Sequence, residues 1–218
     1  MKKTFQLVSI FVLFFSLTAQ KLTQSGGGDS SIAVIGGGAV AWVQLCSLTA
    51  SASATLDFTA ANCPSGVFSS TYHRYKFVLD NVLPASSANL QALVGTGGGP
   101  TFQATNYTCA GNLFNAGGSG GFCSGVTTIW QISGNAVLAT AANGGISCEI
   151  LLTNPQAAAT VNPNIKGECD YWNSSGPTLT YSVVSGSWTA SAALTAIRFQ
   201  FPSINMTSGT ITLYGVTP

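Results

Sequence analysis

Charge is what this chain has least of. Only 6% of its residues are Asp, Glu, Lys or Arg, against a hydrophobic share of 46%. A nucleic-acid binder needs a stripe of Lys and Arg to replace the phosphate counterions, and no such stripe exists here. Disorder is excluded as well, because disordered chains combine low hydrophobicity with high charge. There is a single histidine, His73, and there are two glutamates, Glu149 and Glu168. Close cysteine pairs of the zinc-site kind are absent, so metal and cofactor chemistry have few ligands to draw on, and no cofactor is expected. Stretches with helical periodicity are scarce. Apolar runs of membrane-spanning length are missing too; the longest, Phe5 to Leu17, is short for a span.

That run follows Lys2 and Lys3 and ends at Thr18-Ala19-Gln20, which is the layout of a signal peptide over residues 1–20. Removing it lowers the formal net charge of +1 by two lysines, leaving five basic against six acidic side chains. No cysteine follows it to carry a lipid anchor. The mature chain is therefore expected to be secreted or displayed on a surface, with no membrane span after leader removal. Six cysteines, Cys46, Cys63, Cys109, Cys123, Cys148 and Cys169, suit such an oxidising destination. Fifteen pairings are open to them. Local pairing is the simplest expectation: Cys46 with Cys63, Cys109 with Cys123, Cys148 with Cys169.

Residues 21–41 are rich in Gly and Ser and read as an arm or linker. Within it, Ile32 to Ala41 (IAVIGGGAVA) imitates a dinucleotide fingerprint with Asp57 as the distant acid. No strand–helix alternation follows, so a linker running into the first strand is the simpler reading. From Trp42 onward, apolar and polar residues alternate with period two between turn signals. Twelve strands are expected: Trp42–Thr49, Ala54–Phe58, Tyr72–Asp80, Leu90–Val94, Val126–Ile132, Ala136–Thr140, Ser147–Thr153, Ile165–Trp172, Leu179–Val184, Trp188–Leu194, Ala196–Phe201 and Thr210–Val216. This is the pattern of an all-β protein, a single jelly-roll-like antiparallel sandwich over residues 42–218, stapled by disulfides. Cys109 to Cys123 (CAGNLFNAGGSGGFC) has little strand character and reads as a stapled, displayed loop.

The last segment, Thr195 to Tyr214 (TAIRFQFPSINMTSGTITLY), reads as a hairpin closed by Pro202 to Gly209. It resembles the end of a class of phage virion proteins, β-sandwich modules of tail and fibre components. Trp42–Phe58 (WVQLCSLTASASATLDF), Tyr72–Pro84 (YHRYKFVLDNVLP) and Gly145–Pro155 (GISCEILLTNP) resemble further segments of that class, in the same order. The leader and the six cysteines depart from it. The resemblance implies a non-catalytic virion-associated or surface module that recognises a cell-surface glycan or a protein partner. By fold analogy it also implies a homo-oligomer. A purely structural coat or appendage subunit is a further reading.

If Cys148 faces Cys169 in a hairpin, Glu149 faces Glu168 on the opposite side of the ribbon. Facing carboxylates are what a retaining glycosidase uses, or what can hold Ca²⁺. The simpler reading is a wet strand face, with Lys166 and Asp170 in the same phase. Jelly-roll glucanases carry Glu-x-Asp and then a second Glu; Glu168-Cys169-Asp170 supplies the first part, but Trp172 and Asn173 stand where the second acid belongs. Trp172 shares the phase of Glu168 and Asp170, so an exposed aromatic for stacking is expected there. Trp130 and Trp188 read as core. His73 is expected to pack or hydrogen-bond at a strand end, and Arg198 to make a surface or inter-subunit contact. Asn106, Asn173 and Asn205 begin glycosylation sequons.

Overall fold

A computed structural model describes residues 41–140, 142, 144–156, 161–176, 178–190 and 192–216. The signal-peptide, linker and fingerprint readings of residues 1–40 lie outside it. The described chain is an all-β sandwich with thirteen strands. They are β1 (Trp42–Thr49), β2 (Thr55–Phe58), β3 (Arg74–Pro84), β4 (Gln91–Thr96), β5 (Thr101–Phe102), β6 (Tyr107–Asn115), β7 (Gly118–Thr127), β8 (Trp130–Gln131), β9 (Ile146–Thr153), β10 (Asn164–Trp172), β11 (Leu179–Trp188), β12 (Leu194–Gln200) and β13 (Met206–Val216). The larger sheet runs β1-β13-β3-β9-β10-β11-β6-β7. The smaller runs β2-β12-β4-β5, with β8 also on β4. All pairings are antiparallel.

Strict alternation builds the core. Tyr75, Phe77 and Leu79 of β3 point inward, as do Cys148, Ile150 and Leu152 of β9, and all are buried. From the smaller sheet, Phe58 and Phe199 each meet Phe77 edge to face with ring centroids 5.2 Å apart, and meet each other at 6.2 Å. Tyr107 and Trp130 join the sheets farther along, 5.3 Å apart. Trp188 is buried as well. Disulfides join Cys46 to Cys63, Cys109 to Cys123 and Cys148 to Cys169, and no cysteine is free. Three disulfides belong to an oxidising environment. Among the described residues, no helix is long and apolar enough to cross a membrane.

Four expectations are corrected. The terminal segment is no hairpin: β12 pairs with β2 and β4 in the smaller sheet, and β13 with β1 and β3 in the larger. The turn at Phe201–Ile204 carries the chain across the core, so Phe199 and Leu213 face the same interior from opposite sides. Alternation tells which face of a strand is apolar, and says nothing about which sheet the strand joins. Second, Cys109 to Cys123 is a β-hairpin of β6 and β7, turning at Asn115–Gly118. Its glycines lower intrinsic strand preference, but ladder hydrogen bonds to β11 and the bridge override it. Third, Trp188 ends the long strand β11 instead of starting one, and Ala136–Thr140 forms only two isolated bridges at Val137, to Ala88 and to Asn173. Fourth, His73 is exposed, in a bend just before β3, and lies outside the strand it is expected to begin.

Candidate functional site

The β9–β10 ribbon carries the site. Cys148 lies opposite Cys169 and Glu149 opposite Glu168. The cysteines point into the core, buried to 4% and 1% exposure. The neighbouring glutamates must then point outward, because the side-chain period of a strand is two. The disulfide thus joins the rung next to the carboxylate pair, on the opposite face of the ribbon, and supports the register that sets the glutamates face to face.

Outward residues of adjoining strands extend this pair into a groove of about 780 Å³ on the outer face of the larger sheet. Trp42 of β1 stands toward one end and Tyr181 of β11 toward the other, beyond which Ala110, Gly111 and Asn112 of β6 complete the rim. Lys76, Glu149, Lys166 and Glu168 are on the floor between the two rings. Lys76 Nζ lies 2.6 Å from Glu149 Oε2 and 5.5 Å from the centroid of the Trp42 ring. The Tyr181 hydroxyl donates to Glu168 Oε2 at 2.5 Å. That hydrogen bond raises the Tyr181 pKa above its usual 10, since losing the proton would set a phenolate against a carboxylate. Each glutamate therefore has its own partner, Lys76 or Tyr181, and the Glu149 side chain is 60% exposed. Water and these partners relieve the repulsion expected of two facing carboxylates.

The four acidic and aromatic residues singled out in the sequence divide. Glu149 and Glu168 line the groove. Asp170 is exposed on the same strand face, paired with Ser147 and Tyr181, but lies outside the groove. Trp172 is half-buried at the end of β10, beside Leu179, also outside it. Sequence reasoning missed Trp42, Lys76 and Tyr181. Each lies in the outward phase of its strand, so alternation marks the face; their meeting depends on strand order, which alternation does not carry.

Other candidates settle into structural roles. Arg198 grips Asp57 with two hydrogen bonds of 2.8 and 2.6 Å and lies over the Phe102 ring, 3.9 Å from its centroid. That replaces the expected surface contact, and it leaves Asp57 engaged by a guanidinium instead of serving a nucleotide. Asn106 and Asn205 are exposed, whereas Asn173 is buried with its Oδ1 accepting from the Ser175 N–H. Among the described residues, no group of three His, Cys, Asp or Glu comes together to hold a metal ion. No family model, curated protein or solved structure matches the chain.

Proposed function

We propose that this chain is an exported, non-enzymatic adhesion module, of the kind displayed on a virion or a cell, that binds a cell-surface glycan along the groove between Trp42 and Tyr181. The observation that carries the reading is the groove itself. A rigid sheet presents two aromatic rings at the ends of a floor studded with paired hydrogen-bonding charges. Such a floor is suited to a polar ligand, with rings available for stacking. Binding here uses a sheet face and not the displayed loops that the sequence suggests. The test is retention of the purified mature chain on a broad panel of immobilised glycans, with Glu168→Ala as the groove variant. Retention that Glu168→Ala weakens supports the reading; retention on no glycan overturns it.

One feature favours a second reading, a secreted glycoside hydrolase. Glu149 and Glu168 face each other across a ribbon, as an acid and a nucleophile must flank a glycosidic bond. Their surroundings argue against it. A general acid at neutral pH is made by apolar enclosure, and Glu149 is solvated and bound to Lys76. Glycan release that Glu149→Gln abolishes would establish the hydrolase instead.

A further inference from the structure

The ligand's chemistry is legible in the same groove, on the premise that the groove binds a glycan. We infer that the chain it takes is an uncharged oligosaccharide of several rings, laid diagonally over the strands of the larger sheet.

Length comes first. Trp42 stands on β1 and Tyr181 on β11, five inter-strand steps apart in the sheet order. At about 4.8 Å per step, the strands bearing them are up to roughly 24 Å apart. Trp42 is level with Ser187, not Tyr181, along β11, so the line between the two is a diagonal. Both side chains lean toward the floor, Trp42 over Lys76 on β3 and Tyr181 onto Glu168 on β10, which leaves two strand steps, about 10 Å, between those contacts. A single sugar ring does not reach between two such platforms, whereas a short chain does. The platforms are real surfaces: Trp42 is 43% exposed and Tyr181 37%. Lys76 lies over one face of Trp42 and Phe114 stacks on one face of Tyr181, so the C–H face of a pyranose takes the other face of each ring.

Charge comes second. The floor holds Lys76 and Lys166 against Glu149 and Glu168, which sum to zero. Lys76 is already engaged by Glu149. A sialylated, sulfated or phosphorylated chain would find no surplus of positive charge, and would meet two carboxylates. A neutral chain meets no such penalty.

Hydrogen-bonding character comes third. Ammonium groups only donate and carboxylates only accept, while a hydroxyl does both. Ammonium and carboxylate groups stand side by side across β3, β9 and β10. Neighbouring hydroxyls of one sugar can therefore satisfy both kinds of partner at once. A protein side chain docking there would have to desolvate four charges to reach the floor, which makes a poor anchor pocket.

The experiment is a length series of neutral oligosaccharides, run beside sialylated and sulfated chains at low and raised salt. Wild type is compared with Trp42→Ala, and with Leu179→Ala, a change on the same face but outside the groove. Matching urea midpoints establish that the variants fold. The expected result is affinity that climbs with the length of the neutral chain and barely responds to salt. Trp42→Ala should weaken the longest chains by about tenfold and the shortest far less, with Leu179→Ala unchanged. Binding confined to acidic chains and lost in salt overturns the inference while the adhesion reading stands. Equal affinity for short and long neutral chains also overturns it. Binding to no glycan removes both.

Discussion

Arg198 shows how little a single residue reveals until its partner is in place. In the sequence it sits out of phase with Ile197 and Phe199, which marks it as an outward group and no more. Its partner Asp57 is 141 residues away on β2. Both side chains are largely buried, with 28% and 20% exposure. The planar guanidinium matches both carboxylate oxygens and stacks on Phe102 at once, which a lysine ammonium does not reproduce. Arg198→Ala strands the Asp57 carboxylate in a half-buried site, and a loss of about 1.5–3 kcal/mol is expected. Arg198→Lys should recover part of that and not all. Urea unfolding of the three proteins checks it; equal midpoints for Lys and Arg would show that only the charge matters.

At the scale of the strand, the β9–β10 ribbon shows what alternation can and does deliver. Placing Cys148 opposite Cys169 sets every other pair in the ribbon, and Glu149 falls opposite Glu168 as a consequence. The same logic fails for β12 and β13. Their inward residues are legible, but two strands on one side of a core and two strands on opposite sides present the same pattern. It also fails for β6 and β7, where glycines hide strands that neighbours impose. The groove inherits both limits: Glu149, Lys166 and Glu168 of its floor were legible from one ribbon, whereas Lys76 and the two rings were not, because Trp42, Lys76 and Tyr181 arrive from β1, β3 and β11, whose places beside the ribbon are set by strand order. The ribbon's register has two supports, the disulfide and the buried alternation of Ile150, Leu152, Ile165 and Tyr171. Removing the first with Cys148→Ala together with Cys169→Ala relaxes a loop of sequence separation 21. Roughly 3 kcal/mol should be lost on loop-closure grounds. Glycan binding of the folded fraction should persist, because a one-residue slip would turn the buried side chains outward. Loss of binding at full foldedness, by circular dichroism and retention on the same column, would show that the disulfide alone holds the pair in place.

For the whole molecule, the contact between the two sheets is written in its tyrosines. The Tyr107 hydroxyl on β6 accepts from the Val94 N–H of β4 and donates to the Gln103 carbonyl, so it ties the larger sheet to the smaller. Tyr75 exchanges hydrogen bonds with the Ser69 backbone, and Tyr171 accepts from the Asn135 N–H. Burial makes a phenolate unfavourable at all three and pushes their pKa values above 10, that of Tyr107 to about 12. Each group keeps its proton in the folded chain after the unfolded chain has released it. The stability it contributes is therefore whole below pH 10 and drains away as pH climbs through the folded values, toward 12 for Tyr107. A pH jump, brief enough to spare the disulfides and read by phenolate absorbance, separates the groups. In the native protein the three core tyrosines should ionise late and together with unfolding. Tyr181 should also ionise late, but for a local reason, and Glu168→Ala should return it toward 10 while leaving the core three unmoved. If all six tyrosines of the folded chain ionise together near 10, the sheets do not enclose these rings, and the shared interior on which the sandwich depends is wrong.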